Sequence, residues 1–334
     1  MKDIYIITGA NGFLGNNIVR QLCKENNEIR CLVTLNGDIT SLKGLNCKIY
    51  RGDVTKLDSL KEIFTINEKV NLFVIHCAAI VSIKSKYDNV MYNVNVNGTK
   101  NIVKMCLNFK AKLIYVNSVH SLPVKKDHET TTEIKDFDPN NVEGAYAKTK
   151  AEAAKYVLDS VNNDKLNACI IQPSGIIGPN DYGHTHLSEL ITNFANGKLN
   201  ACVKGGYNFV DVRDVAKGII SACKNGQSGE CYILSNKYIS IMDLLNMVSK
   251  ECHIKKIKVI IPMWIAKLFA PFMEFYYGIK KEVPMFTSYS LYTLTVNSNF
   301  SYDKAYKKLN YIPRNIKDTI HDTIEWFKKE NRIK

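Results

Sequence analysis

The sequence predicts an α/β protein built on a doubly wound parallel sheet, with a smaller, discontinuous lobe toward the C-terminus. Three observations carry this. Short β-branched runs recur at nearly even spacing and are almost continuously apolar, as strands covered on both faces must be. Stretches of helical period separate them, the arrangement that generates parallel strands. After Pro173 the rhythm breaks.

The first run, DIYIIT, passes through Gly9, Gly12 and Gly15 into a helix expected over Gly12 to Lys24. Such a junction gathers backbone N–H groups and the positive end of a helix at one spot. Gly9 would allow the tight turn, Gly12 the close approach of a pyrophosphate, and Gly15 the packing of helix on strand. A glycine trio alone also fits a purely structural turn. EIRCLVT and CKIYRG supply the second and third strands. Asp53, after the third, could accept a hydrogen bond from an adenine amino group or cap the helix expected over Lys56 to Asn67.

NLFVIHCA is the fourth strand, and beyond it Ala78 and Ala79 are small enough for a flat ring to pass. A helix over Tyr87 to Phe109 leads to the strand KLIYVNS, and a helix over Glu143 to Val161 leads to NACIIQP. That second helix holds Tyr146 and Lys150 one turn apart on one face. An ammonium beside a phenol favours the phenolate and draws a pKa of about 10 toward neutrality, where Tyr works as acid or base. An exposed stacking pair is the plainer reading. Past Pro173, DVRDVAKGIISACKN and ECYILS return a helix and a strand to the sheet. The expected division is therefore 1–175 plus 207–236 for the sheet domain, and 176–206 plus 237–334 for the smaller lobe.

At 334 residues and 46% hydrophobic, the chain can bury a large core unaided. Its ten cysteines are dispersed, with no CxxC pair and no zinc spacing, and read as reduced core residues. A strand beginning within three residues of Met1 leaves no room for a signal peptide, so a cytoplasmic location is expected. The net charge of +13 comes almost entirely from scattered lysines, with no nucleic-acid-binding motif, so no nucleic-acid partner is expected. The apolar stretch 259–279 is interrupted by Pro262, Lys267, Pro271 and Glu274. It reads as a substrate-lobe helix first and a membrane-surface contact second.

Taken together, the motifs resemble the extended short-chain dehydrogenase/reductases. TGANGFLG matches that family's glycine fingerprint, RGDVT its adenine-contacting Asp, and HCAA its fourth-strand motif. VNVNGTKN matches its Asn-bearing helix, VNSVHS its catalytic Ser strand, and YAKTK its YxxxK; QPSGIIGP and NFVDVRDVAKG follow in the expected order. The likeness is nearest to the dihydroflavonol reductase, 3β-hydroxysteroid dehydrogenase and hopanoid-associated branch.

The resemblance implies a Rossmann-type fold and an NAD(P)(H)-dependent oxidoreductase. Tyr146 would be the general acid or base, Lys150 would bind the nicotinamide ribose and depress the Tyr146 pKa, and Ser118 would hold the reacting oxygen. Asn95 would order a water or backbone group near Lys150. Cofactor contacts are implied for Gly9, Asn11, Gly12, Phe13, Leu14, Gly15, Thr34, Asp53, Val54, Cys77, Ala78, Ala79, Asn95, Tyr146, Lys150, Pro173, Gly175 and Ile176. No metal is implied. Family members are often dimers, so a homodimer is the expected state.

Two departures bear on function. NAD-preferring members carry an acid at the end of the second strand, where this chain has Val33 and Thr34; its loss tips the expectation toward NADP(H). Sugar-nucleotide epimerases carry an Arg where this chain has Tyr207, and dehydratases an Asp-Glu pair where it has Val119 and His120. The expected substrate is a fairly apolar ketone, aldehyde or secondary alcohol, under a lid rich in Trp264, Phe269, Phe272, Phe275, Tyr276 and Tyr277. A sugar or nucleotide-sugar epimerase with tightly held NAD is the second reading, and a dinucleotide-sensing protein without catalysis the third.

Overall fold

The computed structural model describes residues 1–25, 27–82, 88–127, 129–280 and 287–333. In chain order its strands are β1 (Asp3–Thr8), β2 (Glu28–Val33), β3 (Lys48–Arg51), β4 (Asn71–His76), β5 (Lys112–Val116) and β6 (Ala168–Pro173). Then come β7 (Gly175–Ile177), β8 (Ala201–Val203), β9 (Gly206–Asp211), β10 (Cys231–Leu234), β11 (Lys237–Ser240) and β12 (Val259–Ile261). The helices are α1 (Phe13–Leu22), α2 (Lys61–Phe64), α3 (Asn89–Tyr92), α4 (Thr99–Asn108), α5 (Ala145–Asp164) and α6 (His186–Ala195). They continue with α7 (Val212–Asn225), α8 (Ile241–Glu251), α9 (Met263–Lys280), α10 (Ser288–Thr293), α11 (Asp303–Leu309) and α12 (Ile316–Lys329).

The main sheet has seven strands in the order β10-β6-β5-β4-β1-β2-β3, every neighbouring pair parallel. All seven runs expected to enter it do so. Successive residues of β1 feed opposite cores, Ile4 and Ile6 on one side and Tyr5 and Ile7 on the other. Residues of α4 and α5 such as Ile102 and Val157 complete the first core, while Ile18 of α1, Ile219 of α7 and Leu309 of α11 complete the second. Two-sided burial is why these runs show no polar alternation, except at the edge strand β3, which the sequence reads as covered and the structure leaves largely exposed. Strand order reverses between β1 and β4, and the crevice at the carboxyl ends there is where such sheets take ligands.

Two small sheets, β11-β9-β7 and β12-β8, lie in the C-terminal half. The helix expected over Lys56 to Asn67 is shorter: a 3₁₀ turn at Leu57–Leu60 leads into α2, and Thr65 leaves the helix with ψ of 113°. Of the helix expected from Tyr87, that residue lies outside the described ones. From Asp88, whose carboxylate caps α3, the chain runs through a π-helical turn at Asn93–Gly98 into α4. Among the described residues no helix is long and apolar enough to cross a membrane.

Candidate active site

The β1–α1 junction explains its three glycines separately. Gly9 has a φ of +63°, and a Cβ there would lie 2.9 Å from the Ala78 backbone, so the turn also abuts the segment beyond β4. A Cβ on Gly15 would fall 2.2 Å from the Gly9 carbonyl oxygen. Gly12, the exposed N-cap of α1, would meet only that oxygen, at 3.2 Å. The first turn of α1 carries no acidic side chain. The junction therefore fits an anionic diphosphate in contact with the helix N-terminus. Behind it, the buried Asn16 and Asn17 amides bond the carbonyls of Asn180 and Pro179, fixing the turn to the loop after β7.

Helix α5 begins after Gly144, whose φ of +94° and missing side chain admit the ring of Tyr289. Tyr146 and Lys150 follow on the buried face of α5. Lys150 Nζ donates to the Val116 carbonyl at 2.7 Å and sits 4.6 Å from the centre of the Tyr115 ring. Burial lowers its pKa to about 7. Tyr146 does not behave as the sequence suggested. Burial raises its pKa to about 12, with the nearby Ser118 hydroxyl opposing part of the rise.

Ser118 stands just past β5, its Oγ accepting from the His120 N–H at 3.2 Å. Its carbonyl accepts from Ser121 Oγ, which in turn accepts from the Asn117 and Gln172 amides. This buried polar knot fixes the Ser118 backbone from below.

Asn95 lies in the π-helical turn, a feature frequent at functional sites. Its Oδ1 accepts from the Ile80 N–H, and its Nδ2 donates to the Ile80 carbonyl and to Thr149 Oγ1, beside Lys150. It thus couples the loop after β4 to α5. A second chain of bonds runs alongside it. Ala78 N–H donates to Thr8 Oγ1, which pairs with His76 Nδ1 at 2.7 Å; His76 Nε2 meets Thr99 Oγ1, which donates to the Asn95 carbonyl. For every hydroxyl to donate once, His76 carries its proton on Nε2. Burial holds it neutral, with a pKa near 3.

On the substrate side, His120 is caged by phenols. Tyr207 hydroxyl lies 3.1 Å from its Nε2 and Tyr289 hydroxyl 3.4 Å from its Nδ1, while the Tyr146 ring stands edge-on with centroids 6.0 Å apart. Burial depresses the His120 pKa to about 4. A pocket opens here, lined by His120, Tyr207, Tyr289, Tyr292, Val119, Leu122, Val124, Val296 and Phe300 together with several small polar residues and Glu143. The expected lid is not its wall: Trp264, Phe269, Phe272, Phe275 and Tyr276 face solvent instead, because α9 packs through its alanines.

At the far end of the crevice, Thr34 follows β2 and Asp53 follows β3. Asp53 Oδ1 accepts from Thr55 N–H and Oγ1, a local turn that leaves Oδ2 without a partner among the described residues. Arg51, a residue no sequence motif marks, donates through Nη1 to the carbonyls of Thr34, Leu35 and Gly37. Its place in CKIYRG, at the same sheet edge as Thr34, was the available signal. Pro173 ends β6, and Gly175 and Ile176 lie in β7, where a Cβ on Gly175 would come within 2.8 Å of the Tyr207 ring.

A glycine-turned dinucleotide crevice ending in Ser, Tyr and Lys defines an NAD(P)-dependent oxidoreductase of the extended short-chain type. The chain belongs to the NAD dependent epimerase/dehydratase family, whose model matches residues 5–235. A Synechocystis relative named "Putative dihydroflavonol 4-reductase" is 28% identical, over 100% of this chain and 97% of its own. The sterol-4-alpha-carboxylate 3-dehydrogenase erg26 of Schizosaccharomyces pombe is 26% identical over 99% of each chain. The crystal structure of gox2253 superposes with a TM-score of 0.86 at 31% identity, covering 100% of both chains.

Proposed function

We propose that this enzyme transfers hydride between a nicotinamide cofactor and a fairly apolar ketone, aldehyde or secondary alcohol. One observation carries the substrate class: the residues lining the pocket beside His120 include no lysine or arginine and one carboxylate, Glu143. A nucleotide sugar brings a diphosphate that needs cations, preferably bidentate arginine. Here aromatic rings and aliphatic side chains take those positions. The sterol and flavonol names of the full-length relatives support the same class.

In this reading the bound dinucleotide supplies or accepts the hydride. Ser118 Oγ and the Tyr146 phenol bind the substrate oxygen, and the phenol, held protonated by burial, delivers a proton to it in reduction. Lys150, on α5, would hold the ribose of a bound cofactor. Asn95 positions both the loop after β4 and the turn of α5 that carries Lys150. The sheet domain 1–175 plus 207–236 carries the cofactor, and the remaining segments shape the substrate pocket. NADP(H) is the cofactor favoured, because Arg51 keeps Nε and Nη2 uncommitted among the described residues beside a β2 end that bears no acid.

The test is a thermal-shift and turnover panel on the purified chain and on Tyr146→Phe. Steroid or flavonoid carbonyls should raise the melting temperature with cofactor present and consume NADPH or NADH. Tyr146→Phe should lose roughly 10²–10⁴-fold in turnover with cofactor affinity retained. Stabilisation by UDP-sugars alone, with NAD surviving dialysis and no net cofactor consumption, would establish the epimerase instead.

A further inference from the structure

Helix α9 is packed inside out. Its small residues Ala266 and Ala270 are buried against Leu291, while Trp264, Phe272 and Phe275 are 69%, 69% and 74% exposed. At about 100° per residue, Trp264, Leu268, Phe272 and Phe275 fall within one arc of about 80°, directly opposite the two alanines. Phe269 and Tyr276 extend this arc on one side, and the exposed Val259 and Ile260 of β12 precede it. An apolar surface of this extent on a soluble domain marks a contact surface.

Charge identifies the contact. From His253 to Lys280 the chain carries five lysines, Lys255, Lys256, Lys258, Lys267 and Lys280, against one acid, Glu274. That acid is turned toward the protein, accepting from the Ser288 N–H. Lys255, Lys256, Lys258 and Lys267 are exposed. A second copy seated on this patch about a two-fold axis would set those lysines against their own images. An anionic lipid surface instead takes aromatic side chains into its interface and lysines onto its headgroups.

We propose that α9 and the lysine-rich segment before it form a peripheral binding surface for anionic membranes. The helix lies in the interface plane with its aromatic face down and does not span the bilayer. The alanine face joins it to α10, whose Tyr289 and Tyr292 line the substrate pocket, so binding sets that pocket close to the lipid. The proposal stands on the surface alone and is independent of the chemistry assigned to Tyr146.

Flotation of the full-length protein with phosphatidylcholine vesicles, with and without phosphatidylglycerol, tests it. The wild type should float with the anionic vesicles and lose binding as salt rises. Phe272→Ser/Phe275→Ser should weaken binding by roughly tenfold or more. Lys255→Glu/Lys256→Glu/Lys258→Glu should abolish the preference for anionic lipid. All these side chains are exposed, so melting temperature and cofactor binding should stay at wild-type values, separating a lost surface from a lost fold. No flotation of a folded wild type would overturn the proposal. So would concentration-dependent self-association that the Phe272→Ser/Phe275→Ser variant removes, without any vesicle binding.

Discussion

His120 and Tyr207 stack with ring centroids 5.5 Å apart and planes 14° apart, joined edge to edge by the contact between the Tyr207 hydroxyl and His120 Nε2. Both are neutral and enclosed, so the pair makes a flat aromatic wall where a diphosphate-binding site would need a cation. Tyr207→Arg should not create that site. It would bury a guanidinium against a neutral imidazole, and chemical denaturation should show a loss of about 3–5 kcal/mol. Wild-type stability with new UDP-sugar binding would mean the wall is not what excludes them.

Two glycines three residues apart should fail differently. Gly15→Ala drives a Cβ into backbone that cannot give way, and unfolding should reveal a loss of about 3 kcal/mol or more. Gly12→Ala should cost about 1 kcal/mol or less in stability, yet weaken dinucleotide binding by at least roughly tenfold in a titration. Equal effects on both readouts would remove the distinction between a packing glycine and a ligand-facing one.

Lys150 should be a liability to stability. Its folded pKa of about 7 lies below the ordinary lysine value of 10.5, so below pH 7 the fold must bury a charge. Between those values the unfolded chain holds the extra proton and stability rises with pH. Lys150→Met should therefore stabilise the cofactor-free protein by roughly 1–4 kcal/mol at neutral pH while abolishing turnover. Denaturation at several pH values should show that gain shrinking as pH rises toward 10.5. A gain independent of pH would place the benefit in packing rather than charge.

Arg51→Ala should separate the two cofactors. Fluorescence titration should show NADPH affinity falling by roughly tenfold or more with NADH affinity little changed, since only a 2′-phosphate offers the guanidinium a dianion. Parallel losses for both would confine Arg51 to tethering the loop after β2.

Most of the sheet was legible because its inner strands are buried on both faces: DIYIIT, NLFVIHCA and KLIYVNS have no alternation to hide them, and the glycine junction announces the first turn by local stereochemistry alone. Tyr146 and Lys150 were legible for the same reason, since one turn of helix sets their relation without the rest of the fold. The π-helical turn at Asn95 was not, because VNVNGTKN reads as ordinary helix and only the Ile80 and Thr149 contacts account for its side chain.

Relations that span only a few residues were written in the chain, because backbone geometry decides them: strand, glycine turn, helix, and a phenol one turn from an ammonium. Tertiary structure alone decided which aromatic residues wall the pocket. His120, Tyr207 and Tyr289 come from three distant segments, and the aromatics of α9 point outward because Ala266 and Ala270 pack more closely against Leu291. Burial likewise set the acidities of Tyr146 and Lys150, because desolvation depends on everything packed around a group and not on its neighbours in the chain.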